Sequence, residues 1–189
     1  EMQASGQLVA PVADWETKRR WVKEAFAALE ASGYSITSGY TAVKNPKKTK
    51  FIYRDELWSG ADLIGLGVAS FSHAVGVHYQ NLTEIEPYLE AIASRELPLK
   101  RAFRTNEEER MIREFILQMK LGHVDLAYFQ EKFVVNMEER FAEQLSGLSE
   151  EGLLSVKNGV LLLTRDGLLC VDNLLHDFFL KEHRTSQIV

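Results

Sequence analysis

Asp62-Leu63-Ile64-Gly65-Leu66-Gly67-Val68-Ala69-Ser70-Phe71-Ser72-His73 is the stretch on which the fold turns. Its apolar core of Leu63, Ile64 and Leu66 predicts a strand over 62–66, buried on both faces. The run passes at once into glycine and small hydroxyl residues, as a strand does when it ends at a binding mouth. Gly65 and Gly67 permit positive φ or close approach of a ligand, and Ser70, Ser72 and His73 offer donors and acceptors just beyond. A plain structural turn would show the same residues, so both readings stay open.

Working outward, the chain holds one good-sized domain or two small ones: 189 residues, 46% hydrophobic and 26% charged, is an ordinary globular balance that excludes wholesale disorder. The net charge of −5 is uneven, with residues 1–60 at +2 and residues 61–189 at −7. An anionic ligand is therefore expected in the first third, and the remainder makes no general nucleic-acid surface. Cys170 is the one cysteine, so neither a disulfide framework nor a thiolate-bound cluster can come from this sequence. With no long apolar run and no signal pattern, a cytoplasmic, non-membrane protein is expected. Glu1 to Gln7 shows no periodicity and no initiator methionine at position 1, as in a piece of something longer.

Upstream of the central stretch, Asp14 caps a helix expected to run to Ser32, with Trp15, Val22, Phe26 and Leu29 on one face. Tyr34 to Ala42, rich in β-branched and aromatic residues, predicts a strand, and the αβ…β order is that of an α/β layer or barrel. Lys44, Lys47, Lys48 and Lys50 then form a basic loop around Pro46, suited to carboxylates or phosphates and equally to a solvated loop tip. One helical turn over 55–60 is expected to seat Trp58 against the core.

Downstream, Val77 to Asn81 predicts a short edge strand. Thr83 with Glu86 has the form of a capping box opening a helix to about Ser94, and Leu97-Pro98-Leu99 a connection. Thr105 with Glu108 repeats the pattern before a helix to Lys120, with Met111, Ile112, Phe115, Ile116 and Met119 inward. Asp125 and Asn136 cap two more, and Asn158-Gly159 marks a hairpin between 153 and 163. Thr164 caps a closing helix lined by Leu168, Val171, Leu174, Leu175 and Phe178, and 183–189 is a frayed tail. Three helices, a hairpin and a helix make a winged-helix-like layout. Its groove-facing segment, Asn136 to Gly152, carries a net −4, which argues against DNA binding.

Several of these stretches, in this order, resemble one family. Gly65 to Ser72 after an apolar strand, Asn81 before a helix with Tyr88, the helix opening at Thr105, and Leu163-Thr164-Arg165-Asp166-Gly167 leading into Asp172 to Phe179 are similar to the carboxyl-terminal part of oxygen-independent coproporphyrinogen III oxidases, the HemN/HemW type of radical S-adenosylmethionine proteins. The resemblance implies that 1–104 is the last part of a partial (β/α) barrel, 105–182 a helical domain that helps enclose substrate, and 183–189 a tail. It implies that Gly67, Val68, Ser70, Phe71 and Ser72 border S-adenosylmethionine, Phe71 replacing an aliphatic residue of the oxidases. The family's Cys-x-x-x-Cys-x-x-Cys loop, which holds a [4Fe–4S] cluster, is missing, so the chain alone is expected to be inactive. Its partner would be the absent amino-terminal half, in the same or a separate chain. The parent would be an oxidoreductase of porphyrin metabolism, generating a deoxyadenosyl radical that takes a hydrogen from a propionate before carbon dioxide is lost. Lys44, Lys47, Lys48 and Lys50 would suit tetrapyrrole propionates, and His73 and His78 would be substrate-side groups or axial haem ligands. No catalytic or metal-binding residue is assigned. A haem carrier, a methyltransferase homologue and a free-standing interaction module remain the alternatives.

Overall fold

A computed structural model describes residues 12–184, so the expectations for Glu1 to Gln7 and for 185–189 lie outside the described residues. Asp14 accepts a hydrogen bond from Thr17 N–H (2.7 Å) and opens α1, Trp15–Ala31, as expected. Of its apolar face only Phe26 is buried; Trp15 and Val22 are exposed. The strand predicted over 34–42 is instead a tight hairpin. β1, Ser35–Ser38, pairs antiparallel with β2, Thr41–Val43, because Gly39-Tyr40 turns the chain. The basic loop follows, then α2, Ile52–Trp58, with Trp58 half-buried beneath the Arg54 guanidinium (5.3 Å).

The central stretch is the main correction. Residues 62–66 do not form a doubly buried strand; one antiparallel bridge joins Leu63 to His73, and Ile64 and Leu66 are 66% and 86% exposed. The strand begins later, at β3, Phe71–Ala74, inside what reads as a loop. β4, Val77–Asn81, is then the middle strand of an antiparallel sheet ordered β3-β4-β5, not its edge. β5, Leu99–Arg104, falls where only a connection is expected, since every one of its residues is exposed and no alternation marks it. All strand ladders among the described residues are antiparallel, so the fold is mixed α/β without the parallel pairs of a barrel. Between β4 and β5 lies α3, Ile85–Ala93, whose Glu84 N-cap position carries no side-chain cap; the Thr83 box does not form.

The second capping box does form, one residue later than expected. Asn106 accepts from Glu109 N–H (2.9 Å) while the Glu109 carboxylate accepts from Asn106 N–H (2.8 Å), opening α4, Glu107–Met119. β6, His123–Asp125, precedes α5, Leu126–Phe133, and Asn136 caps α6, Met137–Arg140, which runs on into α7, Ala142–Glu150. At the Asn158-Gly159 turn φ is +53° and +74°, joining β7, Leu154–Lys157, to β8, Val160–Leu163. The single closing helix is resolved into α8, Arg165–Leu169, α9, Val171–Leu174, and a 3-10 turn, Leu175–Phe178. A second 3-10 turn spans Lys181–His183, within the predicted tail.

One buried cluster fills this half, with Phe115 stacked on Phe141 (5.4 Å) and edge-on to Phe129 and Phe178. The earlier elements are tied to it by polar contacts. Ser59 C=O accepts from Tyr128 O–H (2.8 Å) and Lys132 Nζ (3.0 Å), and both donors also reach the buried Glu114 carboxylate. Tyr40 O–H donates to Asp172 (2.6 Å), and Lys23 pairs with Asp166 (3.0 Å), which seats α1 and its hairpin on α8 and α9. Thr105 donates both its N–H (2.9 Å) and its hydroxyl (2.8 Å) to Gly76 C=O, fixing the start of α4 to the β3-β4 turn.

Candidate functional site

The glycine stretch folds upon itself. A Cβ at Gly65 would lie 2.3 Å from Phe71 C=O, and Gly67 has φ +98°; here both glycines are needed for a tight backbone crossing. Asn81 closes the turn from β4, donating through Nδ2 to Gly65 C=O (3.1 Å) and Gly67 C=O (2.9 Å). Tyr88 O–H accepts from Gly67 N–H (3.1 Å), and Gln80 Nε2 donates to Ala69 C=O (3.2 Å). Both serines are engaged locally: the Ser70 hydroxyl donates to Leu66 C=O (2.7 Å), and the buried Ser72 hydroxyl accepts from Gly65 N–H (2.9 Å). Asn81→Ala strands two carbonyls and is expected to cost about 1 to 3 kcal/mol. Faster amide exchange at Gly67 and Ser70 in that variant checks it; unchanged exchange contradicts it.

That turn has one bonded side and one bare side. Leu63, Gly65 and Gly67 point their backbone groups inward at His73, Ser72, Tyr88 and Asn81. Among the described residues, the N–H and C=O of Ile64 and the N–H of Leu66 meet no partner. The side chains of Ile64 and Leu66 border a groove of about 470 Å³, with Tyr79, Tyr88, Ile92 and Leu97 opposite. A bare backbone margin beside exposed apolar side chains is a strand awaiting a neighbour.

The opposite face of the sheet carries a second cavity, of about 270 Å³. Pairing of His73 with His78, and of His78 with Phe103, sets these side chains on one face, and Phe71 stacks on the His78 ring (5.6 Å, 18°). α4 supplies Ile112, Arg113 and Ile116 from above, and Phe179, Leu180 and His183 close one side, His183 Nε2 meeting Glu109 Oε1 at 2.7 Å. Two buried nitrogens here lack any hydrogen-bond partner, His73 Nδ1 and Arg113 Nη1. Burial, then the Arg113 charge, depresses His73 to about 4, and the same two causes lower His78. Burial likewise lowers Arg113, which forms no ion pair among the described residues.

His73 therefore stays neutral in the folded state while an unfolded histidine titrates near its ordinary 6.5. As pH falls from about 6.5 towards 4, only the unfolded chain takes up the proton, and stability is lost across that window, by roughly 2 to 3 kcal/mol at the acid end. Above pH 7 both states are neutral and nothing changes. Urea titrations between pH 4 and 7 should show this slope, and His73→Gln should flatten it; an unaltered slope in that variant contradicts it.

Of the expected site residues, the structure brings together Phe71, His73 and His78, and places Gly67, Val68, Ser70 and Ser72 in the adjoining turn. Lys44, Lys47, Lys48 and Lys50 are all exposed between β2 and α2, and none lines either cavity. His73 and His78 project side by side from neighbouring strands, ring centroids 6.0 Å apart, and so cannot grip one haem iron from opposite sides. Arg113, Phe103 and His183 had drawn no attention in the sequence. Arg113 occupies a polar position in an amphipathic helix, and nothing nearby shows that sheet residues cover it.

A search for relatives supplies what geometry leaves open. Residues 106–170 match the family model described as the HemN C-terminal domain. This segment is a HemN C-terminal domain. The chain carrying it is 29% identical over 119 residues to the oxygen-independent coproporphyrinogen III oxidase of Helicobacter pylori J99, covering 61% of this chain and 26% of that protein. It is 27% identical over 115 residues to the oxidase of the same name from Pseudomonas aeruginosa, 58% of this chain and 25% of that one. Against the heme chaperone HemW of Bacillus subtilis the figures are 26% over 113 residues, 59% and 30%. Its fold matches the coproporphyrinogen III oxidase HemN of Escherichia coli, described as a radical SAM enzyme, at TM-score 0.67 and 20% identity, over 83% of this chain and 39% of that one. The chain thus spans about a quarter of the curated oxidases it matches. The resemblance read from Gly65 to Ser72 and Leu163 to Phe179 is borne out, and the HemN C-terminal domain sits where α4 through α8 were described. No helix among the described residues is long and apolar enough to cross a membrane.

Proposed function

We propose that this chain is the carboxyl-terminal, substrate-enclosing portion of a radical S-adenosylmethionine oxidoreductase of the coproporphyrinogen III oxidase type, working in porphyrin metabolism in the cytoplasm. The observation that carries it is the fold match over 83% of the chain, which takes in the antiparallel sheet and the glycine turn as well as the HemN C-terminal domain. The bare margin at Ile64 and Leu66 supports the division. Residues 1–104 are the end of a partial barrel whose preceding strand pairs there, 105–182 form a winged-helix-like cover, and 183–189 a tail.

The chain does not fit the cluster such an enzyme needs. Three thiolates are required and Cys170 is alone, its thiol pushed up by burial away from the reactive thiolate form. No group of three or more His, Cys, Asp or Glu side chains able to hold a metal occurs among the described residues. In this reading the cluster and most S-adenosylmethionine contacts belong to the upstream portion, the partner of this one. What this chain contributes is enclosure: Gly67, Val68, Ser70, Phe71 and Ser72 shape the rim on the S-adenosylmethionine side. His73 and His78 face the substrate. Lys44, Lys47, Lys48 and Lys50 offer counter-charge to tetrapyrrole propionates from the solvent side.

The test is the full reading frame, purified without oxygen and reconstituted with iron and sulfide. It should carry an upstream three-cysteine loop, cleave S-adenosylmethionine, and release carbon dioxide from coproporphyrinogen III, while the 189-residue chain alone does neither. An upstream region without that loop, or a reconstituted protein that leaves S-adenosylmethionine intact, overturns the proposal.

A further inference from the structure

The cavity between the sheet and α4 is not explained by the enclosure role, because it lies on the face opposite the apolar groove. His78 and Tyr79 are consecutive in β4, so one borders each space. Its walls are mostly apolar, with Phe103, Ile112, Ile116, Phe179 and Leu180 on several sides, and its volume of about 270 Å³ is near the lower end for small-molecule pockets. Into this apolar space projects one guanidinium without an ion partner among the described residues. One of its terminal nitrogens is sealed from solvent and unbonded.

A sealed, unpartnered guanidinium is costly unless something anionic meets it. Lys and Arg side chains are ordinarily buried only when paired, and the protein carboxylate at this cavity, Glu109, is already committed to His183 and to Asn106 N–H. The charge arithmetic points to a single negative charge. Arg113 is the lone strong cation lining the space, and His73 and His78 beside it are held neutral. A dianionic phosphate would need more donors than these, and Glu109 at the margin would repel it.

We propose that this cavity binds a monocarboxylate carried on a flat apolar body, with the Arg113 guanidinium as its charge partner, the His78 imidazole as a neighbouring donor, and Phe103 against the ring. The fork of the guanidinium matches two carboxylate oxygens, and Phe103 on exposed β5 can move aside for entry. The site depends only on groups of this chain and holds whichever reaction the longer protein performs.

The 189-residue chain can be titrated with 3-(indol-3-yl)propionate and, separately, with its uncharged amide, by calorimetry and by the imidazole nitrogen signals of His78. The acid should bind at least about tenfold more tightly than the amide, the factor one charge-assisted contact supplies, and only the acid should shift His78. Arg113→Met should collapse the preference to about onefold, Arg113→Lys should retain part of it, and Lys47→Met should leave it unchanged. Without ligand, Arg113→Met should melt no lower than the parent chain, because an unpaired buried charge has been removed. Phe103→Ser, at an exposed strand position, should weaken acid and amide alike. Equal binding of acid and amide, absence of binding by both, or a preference that survives Arg113→Met each overturns the proposal. So does stronger competition by inorganic phosphate than by the acid.

Discussion

Phe115→Ala is expected to remove about 3 to 5 kcal/mol of folding stability, the usual cost of deleting a buried phenyl ring. Phe115 is fully buried, and its ring meets three others, from α5, from the residue joining α6 to α7, and from the 3-10 turn after α9. Phe141 and Phe178 also pack edge to face with each other, at 5.1 Å, so collapse around the missing ring would have to move two elements together. The cavity therefore persists, and the loss belongs at the upper end of the range. With a urea slope of about 2 kcal/mol per molar, the midpoint should fall by roughly 2 M. A fall of less than about 0.5 M would show that these four rings do not form the centre of the HemN C-terminal domain.

Lys132→Met is the second large effect, at about 3 kcal/mol. Glu114 is 5% exposed, and its carboxylate is held by Lys132 Nζ at 2.9 and 3.0 Å and by Tyr128 O–H at 2.5 Å. Burial and that carboxylate together hold the Tyr128 phenol above its ordinary range, so it serves only as a proton donor. Taking away the ammonium leaves a buried anion with one neutral donor, and breaking such a pair from one side typically costs 3 to 5 kcal/mol. The lower end applies because Lys132 is partly open to water, with a side chain 40% exposed. The double variant Glu114→Gln with Lys132→Met should recover most of the loss, since no charge then lies stranded. Equal destabilisation in single and double variants would mean that the lysine stem, not its charge, matters. Because Lys132 and Tyr128 also hold Ser59 C=O, protease sensitivity in the 59–62 turn should rise together with the loss.

Local chemistry is what the sequence discloses well. The Asp14, Asn136 and Thr164 caps, the Asn158-Gly159 turn and the inward row Met111, Ile112, Phe115 and Met119 each depend on residues a few positions apart, and each stands as read. Strands fare worse because a strand is defined by its neighbour. Leu99 to Arg104 shows no alternation, with both faces exposed, yet it pairs along its length with β4. Ile64 and Leu66 carry strand-like apolar side chains and lack a ladder among the described residues. The Gly65 and Gly67 signal was legible as to place and less so as to cause: backbone crossing and the Asn81 amide account for both glycines. The Arg113 cavity left no trace at all, since its walls come from β4, β5, α4 and the last turn, and only the folded chain brings them together.

Amide hydrogen exchange at Ile64 and Leu66, compared between the 189-residue chain and the longer reading frame, bears hardest on the view that this is one side of an interrupted barrel. Those two amides should exchange at nearly unprotected rates in the shorter chain, while Leu63 and Gly65 are slowed, and should become at least about a hundredfold slower in the longer protein as a preceding strand pairs with them. Strong protection already present in the 189-residue chain, or none in either, would contradict it.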